Sequence, residues 1–468
     1  MKKLTLILLA ALLAVVSLVG VVSLIDRDAT ESELENRRLA EKPELTLAGL
    51  MDGSYISKLE TYYSDTFPGR EALLKANQTL NKFYYFSGGE EEMLVVDFTN
   101  DVGLGGEAQD PAPGQSQPSD PGTTPTEPAE PPVSGEQEPA QEQPPEPEEE
   151  LPNYDEMEYF TDGTILITGD SAVDIPTASD NVIMRYAEAV SSIDAALGDQ
   201  VRTIALVTPN SGQFYSPTDM HSGSHDQRSM IGLCYTNMAP SVLTVDAYSV
   251  LDAHKTEDIY FRTDHHWTAL GAYYAYTAFC EEAGFQPVPL EQFKSGTYDR
   301  FVGSMYTYTS QYPQGQALKN NPDSLTYYLP IKDTQAAFFY DADIDNSTPY
   351  WIDVVNTQLP EDEYNKYMCF LAGDHPVVRI TSSADGPTCV VLKDSYGNAF
   401  VPFLTSHYSE IIVIDPREFN QDGCPSLDLV AFAQEHEVED VIVINYPFMI
   451  NSGTYVKWLN RLVGLGYD

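Results

Sequence analysis

The chain is 468 residues long, with 42% apolar residues and a formal net charge of -46 from 25 Lys and Arg against 71 Asp and Glu. That length allows two or three units, or one large α/β domain with an ample core. So acidic a chain lacks the basic surface that displaces counterions from phosphates, which excludes nucleic acid as a partner class.

Met1-Lys2-Lys3 precedes an uncharged, mostly apolar run from Leu4 to Ile25. The run is long enough to span a bilayer, and the lysines before it favour a cytoplasmic N-terminus. No Ala-x-Ala cleavage site follows, so residues 1–29 read as a signal anchor rather than a cleaved signal peptide. Either way, everything after it is expected outside the cytoplasm. Residues 30–88 show helical spacing in Ser57-Lys-Leu-Glu-Thr-Tyr-Tyr and Glu71-Ala-Leu-Leu-Lys-Ala-Asn, as a helical neck or N-terminal lobe would. No Lys or Arg occurs between Lys82 and Arg185. Within that interval, residues 89–152 are rich in Pro, Glu, Gln and Ser, too poor in apolar surface to offset their ordering entropy. They read as a disordered, self-repelling acidic linker.

From 153 to 468 the pattern becomes that of a folded domain. Short β-rich runs recur at Thr164–Thr168, Thr203–Val207, Ser241–Val245, Thr388–Leu392, Glu410–Ile414 and Asp440–Ile444. They are continuous rather than alternating, as strands covered on both faces are. Helical patterns lie between them near 181–197, 268–283, 426–436 and 453–464. The alternation predicts an α/β fold with a doubly wound, mostly parallel sheet and a site at the carboxyl ends of its strands. The interval 290–380 shows little period and reads as an irregular insertion. The five cysteines have no paired short spacing, so neither a zinc knuckle nor a disulfide framework is predicted.

The densest chemistry lies at Asp264-His265-His266-Trp267. A carboxylate two residues from an imidazole shares its side of an extended loop. Asp264 is therefore the candidate orienter and His266 the candidate base, as in a Ser-His-Asp triad. His265 is the alternate base or a cleft residue, and Trp267 a packing residue or a stacking face for sugar. The missing hydroxyl is predicted at Ser395, in Val390-Val-Leu-Lys-Asp-Ser-Tyr-Gly-Asn-Ala-Phe, where an apolar strand runs into a turn and a helix. Such a turn exposes the hydroxyl and brings backbone N–H groups toward an oxyanion, with Tyr396 as a supporting neighbour; an ordinary helix cap is the competing reading. Ser171, in Gly-Asp-Ser after a strand, is a rival of the GDSL-esterase type. Asn210 and Asn445 follow strands and are candidate oxyanion donors or turn residues. Arg417 would pair with Asp415, another acid or an anionic substrate. His221 and His225 have four-residue spacing, but Ser-Gly-Ser between them is poor helix sequence, so no metal site is assigned and no cofactor is called for. Tyr306, Tyr308, Tyr327 and Tyr328 are candidate sugar-stacking faces.

These residues resemble the DHHW family, named for the element at 264–267, which is similar to the SGNH-like O-acetylation proteins of bacterial exopolysaccharides, the alginate type included. Tyr63-Ser-Asp-Thr-Phe-Pro-Gly-Arg, Phe301-Val-Gly-Ser, Lys393-Asp-Ser-Tyr-Gly-Asn-Ala-Phe and Ile414-Asp-Pro-Arg look like family blocks in the expected order, spanning about 55–85 and 155–468. The resemblance implies an SGNH-hydrolase-like fold and a triad drawn from Asp264, His266 and Ser395. It also implies a glycan substrate and an acyl donor supplied by a multi-span membrane acyltransferase. Ordinary GDSL esterases place Ser first and Asp-x-x-His last; no late Asp-x-x-His accompanies Ser171. The expected function is an extracytoplasmic O-acyltransferase or acetyl esterase, membrane-anchored by the N-terminal segment. The competing classes are a non-catalytic glycan-binding or assembly protein and a metal-dependent hydrolase.

Overall fold

The computed structural model describes residues 151–466 except 361, 362 and 422, together with 31, 32, 37, 38, 42, 55 and 62. The anchor at 1–29, nearly all of the neck and all but the last two linker residues lie outside the described residues. Among the described residues no helix is long and apolar enough to cross a membrane.

Strands β1 (Tyr159–Asp162), β2 (Ile165–Thr168) and β3 (Ser171–Asp174) form an antiparallel meander. Next come β4 (Arg202–Val207) and β5 (Leu243–Val245), then β6 (Ser295–Phe301) and β7 (Asp323–Tyr328), which pair as an antiparallel ribbon. The series ends with β8 (Thr334–Phe339), β9 (Tyr350–Trp351), β10 (Val377–Ser382), β11 (Thr388–Lys393), β12 (Glu410–Ile414) and β13 (Asp440–Asn445). Eight strands build one sheet in the order β9-β8-β10-β12-β11-β13-β4-β5. The five from β12 to β5 are parallel. Their Val and Ile runs are fully buried, Val390, Val391, Ile411, Ile412, Val441 and Ile442 among them. Branched side chains stiffen the extended backbone, and burial on both faces favours parallel pairing.

Five helices have eight residues or more among the described residues: α1 (Asp180–Leu197), α2 (Gln227–Thr236), α3 (Ala269–Ala283), α4 (Gly397–Leu404) and α5 (Gly453–Leu462). Helix α1 packs on α2 and α5, and α3 packs on α4. The two groups supply the covering layers that the doubly buried strands require.

The structure corrects the sequence reading in two places. The sheet is mixed, because β10, β8 and β9 extend it in antiparallel fashion. These strands come from the interval read as irregular, which also holds the β6–β7 ribbon. Strand β10, Val377-Val-Arg-Ile-Thr-Ser, is only partly covered, and β8 opens on half-buried Thr334 and exposed Gln335, so neither shows the continuous apolar run that marks a doubly covered strand. Likewise β2 belongs to the outer meander, not the central sheet. Its Ile165-Leu-Ile run is apolar throughout because Ile165 and Ile167 pack with Met305, Tyr306 and Leu318, while Leu166 packs with Val173 and Ile175 on the other face. All five cysteines are free, and four of them, Cys389 included, are buried.

Candidate active site

The loop before α3 is held at both ends. Tyr260 and Trp267 form an antiparallel bridge, the Thr268 N–H donates to the Ile259 carbonyl (3.0 Å), and the Thr268 hydroxyl caps α3 by accepting from the Gly271 N–H (3.2 Å). Between these pins, Asp264 accepts from the His266 N–H at Oδ1 (3.0 Å) and from the Ser304 N–H at Oδ2 (2.9 Å). Gly303 is required beside Ser304, because any Cβ there would overlap the Asp264 side chain. Burial raises the Asp264 pKa, but the His266 charge and ring hydrogen bond, His265 and the Ser304 N–H together outweigh it. They hold the carboxyl well below the usual range.

The second half of the site is the turn between β11 and α4. Asp394 is fully buried and folds this turn by accepting from the Tyr396 N–H (2.9 Å) at Oδ1. Its Oδ2 accepts from Asn445 Nδ2 (2.9 Å) and the Tyr446 N–H (3.2 Å) at the end of the neighbouring β13. Burial pushes the Asp394 pKa up to about 6 against those hydrogen bonds. Trp267 Nε1 donates to the Tyr396 carbonyl (3.0 Å), and the Tyr396 hydroxyl donates to the His265 carbonyl (2.5 Å), so the two halves are clamped together.

The structure thereby brings Asp264, His266 and Ser395 into one chain. His266 Nδ1 lies 2.6 Å from Asp264 Oδ1, and His266 Nε2 lies 2.7 Å from Ser395 Oγ. Ser395 sits just past the carboxyl end of β11, and the hydrogen bond from His266 brings the loop before α3 to that end of the sheet. A carboxylate on Nδ1 fixes the tautomer whose Nε2 can accept the hydroxyl proton.

The other sequence candidates take these places. The His265 ring lies 3.8 Å from the His266 ring, and its Nδ1 is 2.6 Å from the Ser304 hydroxyl. Burial, then the His266 charge, push its pKa down to about 3, which makes it a poor alternate base. Trp267 is completely buried, so it packs and clamps and offers no face to a sugar. Asn445 has both amide protons engaged, on Asp394 and on the Tyr455 hydroxyl (2.9 Å), and accepts from Tyr186 (2.7 Å); it braces the turn and is no oxyanion donor. Asn210 Oδ1 accepts from the Gly212 N–H (3.0 Å) and Gln227 Nε2 (2.7 Å), while its Nδ2 is buried with no partner among the described residues. The turn itself offers fewer oxyanion donors than expected, because Tyr396, Gly397 and Asn398 spend their N–H groups on Asp394 and Ser395 oxygens. Ser171 opens β3 across a two-residue hairpin turn from Thr168. His221 meets Ser216 (3.1 Å) and His225 meets the Pro176 carbonyl (2.9 Å), each on its own short turn. Among the described residues one cluster has metal-ligand geometry, Asp264, His265 and His266. Both nitrogens of His266 already serve Asp264 and Ser395, so a metal there would have to displace them. Tyr306 is buried, and Tyr308, Tyr327 and Tyr328 pack against the core.

Arg417 pairs with Asp415 (2.8 Å through Nε, 2.6 Å through Nη2) and with Asp374 (2.6 Å through Nη2), so of its sequence alternatives the structure shows the neighbouring acid and a second acid. Asp374 also takes Lys393 and Asn398, the latter at 2.8 Å. Lys393 ends β11 two residues before Ser395, and the side chains of Lys393 and Asp374 are both buried. Burial opposes the Asp374 charge, but Lys393 and Arg417 hold its carboxyl far below the ordinary value of 3.8. Its stabilisation is therefore fully present above 3.8 and lost as pH falls below that toward the folded value. Asp374→Ala is expected to cost roughly 3–5 kcal/mol, because Lys393 is left buried without a carboxylate. A urea unfolding curve at neutral pH measures it, and a loss under about 1 kcal/mol would mean that Lys393 finds another partner.

Several site residues were invisible to sequence reasoning. Tyr367 stacks on the His266 ring (centroids 3.9 Å apart, 9° between planes), and its hydroxyl donates to the Ser395 carbonyl (3.2 Å). Asp174 is brought beside the DHHW loop by the Ala172 N–H donating to the Arg262 carbonyl (2.8 Å). Its Oδ2 is buried without a partner among the described residues, and burial raises its pKa to about 7. Ser304 carried one signal, the Phe301-Val-Gly-Ser block; Tyr367 and Asp174 carried none.

The sequence matches the family described as DHHW protein over residues 35–92 and 156–414, a span that holds the loop, Ser304 and Ser395. A DHHW family protein from Eubacterium siraeum has a similar crystal structure: 28% identity, TM-score 0.57, covering 66% of this chain and 98% of that one. Bacillus cereus PatB1 with a sulfonyl adduct aligns at 17% identity and TM-score 0.49, over 65% of this chain and 98% of that one. The O-acetyltransferase domain of Pseudomonas putida AlgJ aligns at 12% identity and TM-score 0.36, over 63% and 95%. Among curated proteins none matches. With its matched span covering well over half of the sequence, the chain belongs to the DHHW family.

Proposed function

We propose that the protein is an extracytoplasmic O-acyltransferase or acetyl esterase acting on a glycan through Asp264, His266 and Ser395. The observation that supports this most is the unbroken hydrogen-bond chain from Asp264 Oδ1 through His266 to Ser395 Oγ, at 2.6 and 2.7 Å. Ser395 Oγ attacks the acyl carbon while its proton passes to His266 Nε2. Collapse of the tetrahedral adduct expels the donor oxygen, which takes that proton. A sugar hydroxyl, or water, then attacks the acyl-serine; its proton goes to His266 and returns to Ser395. Asp264 stabilises the imidazolium in both halves. Asn210, whose Nδ2 has no partner among the described residues, is the side-chain donor we assign to the oxyanion. Transfer and hydrolysis share the first half and differ in how far water is kept from the second.

In this reading the Leu4–Ile25 segment anchors the chain, residues 89–152 tether the domain, and a multi-span membrane acyltransferase supplies the acyl group. Acetate release from a chromogenic acetate ester by the full-length protein tests it, followed by acetyl transfer to added oligosaccharide. Steady turnover is expected. Complete inactivity toward every acetate ester offered would leave a non-catalytic glycan-binding protein in its place.

A further inference from the structure

The strap that carries Tyr367 continues away from Ser395 along the same end of the sheet. Leu371, Ala372 and Gly373 follow with φ of 52°, 52° and 91°, three consecutive left-handed residues of which two are not glycine. Such strain persists only where the surroundings enforce it, and it gathers at ligand sites. Here the strap is pinned on one side by Tyr367 and on the other by Asp374. Beyond it, the His375 ring donates from Nε2 to the Ala372 carbonyl (3.1 Å), and Tyr350 meets His375 Nδ1 through its hydroxyl (2.8 Å). The Tyr340 ring lies 5.7 Å from the Tyr350 ring and is 66% exposed.

Strand register places this group at the active-site end. Val377 of β10 pairs with Ile414 at the carboxyl end of β12, and Phe339 of β8 pairs with Val377, so Tyr340 emerges on the side where Ser395 lies. Three strand spacings separate β8 from β11, roughly 14 Å across the sheet. That distance exceeds one sugar unit and suits several. An exposed tyrosine ring with no core to fill offers the flat amphipathic surface on which a sugar ring stacks. Asp341 directly follows Tyr340 and Asp343 lies two residues further on, exposed; Asp345 is already paired with Arg379 (3.1 Å), so Asp341 and Asp343 are the acids here without a cation beside them among the described residues. They favour a neutral chain, whose hydroxyls can donate to them, and repel a uronate chain.

We infer that the rim from Tyr367 to Tyr340 is a docking ledge for a neutral, extended glycan, with a sugar ring stacked on Tyr340 several units from the one presented to Ser395. The ledge rests on the glycan reading above and names the class and length of its substrate. It predicts that the full-length protein prefers long neutral substrates. The kcat/KM for O-acetylated xylohexaose should exceed that for an O-acetylated methyl xyloside by about tenfold or more. In Tyr340→Ala this ratio should fall about tenfold, through KM, while Tyr340→Phe keeps it. Equal ratios in wild type and Tyr340→Ala would overturn the ledge, as would equal or better use of an O-acetylated oligomannuronate. Calorimetric binding of unacetylated xylohexaose separates the ledge from catalysis. Binding by wild type and Ser395→Ala that weakens about tenfold in Tyr340→Ala upholds the ledge even if no ester is turned over. Absence of binding to wild type overturns it.

Discussion

Ser395→Ala is expected to lower turnover of a chromogenic acetate ester by ~100-fold or more, with the fold intact, because it removes the atom proposed to form the acyl-enzyme. The change deletes one half-buried hydroxyl whose hydrogen bond runs to His266 Nε2, and leaves Asp394, Asn445, Trp267 and Tyr396 to hold the turn. Stability should therefore move little, and a melting curve beside the kinetics separates loss of chemistry from loss of fold. Equal activity in mutant and wild type would mean that another hydroxyl is the nucleophile, and Ser171 is the next to replace.

Asp264→Asn should fall further relative to its small change in shape, by on the order of 10⁴-fold in kcat, the scale at which a triad base loses its correct tautomer. Asp264 accepts from three donors: the His266 N–H and Nδ1 on one oxygen, and the Ser304 N–H on the other. An amide has one accepting oxygen. Turned toward His266, its NH₂ meets the Ser304 N–H. Turned toward Ser304, its NH₂ donates to His266 Nδ1 and forces the proton onto Nε2, where it faces Ser395 and blocks proton acceptance. Both orientations also remove the negative charge that stabilises the imidazolium. Retention of more than a tenth of wild-type kcat in Asp264→Asn would show that Asp264 neither sets the tautomer nor carries that charge.

The parts of this protein that could be read from the sequence share a local cause. Val390-Val-Leu, Glu410-Ile-Ile-Val-Ile and Asp440-Val-Ile-Val-Ile announce buried parallel strands because no other setting accepts so many branched apolar residues in succession. Asp264 and His266 could be paired because two residues of extended loop put both side chains on one side, and Ser395 could be singled out because a strand runs into a glycine-bearing turn there. The antiparallel extension β10-β8-β9 could not be read in this way, since partly exposed strands blur the apolar signal that separates strand from loop. Arg417 left three options open in the sequence; only folding, which carries Asp374 from 43 positions away, chose among them.

What the sequence determined by itself is which groups have the chemistry: a carboxylate and an imidazole within one loop, and a serine at a strand end. What only the tertiary structure decided is which groups face them. Asn445 and Asn210 both come at the ends of parallel strands and look alike in the chain, yet one is saturated by Asp394, Tyr455 and Tyr186 while the other keeps a buried donor with no partner among the described residues. Tyr367 and Tyr306 are both tyrosines in segments of weak periodicity, yet one stacks on His266 and the other fills a core beside Met305. The physical reason is range. Strand and turn formation are governed by neighbours a few residues apart, whereas satisfaction of a buried polar atom depends on partners delivered from distant elements by packing.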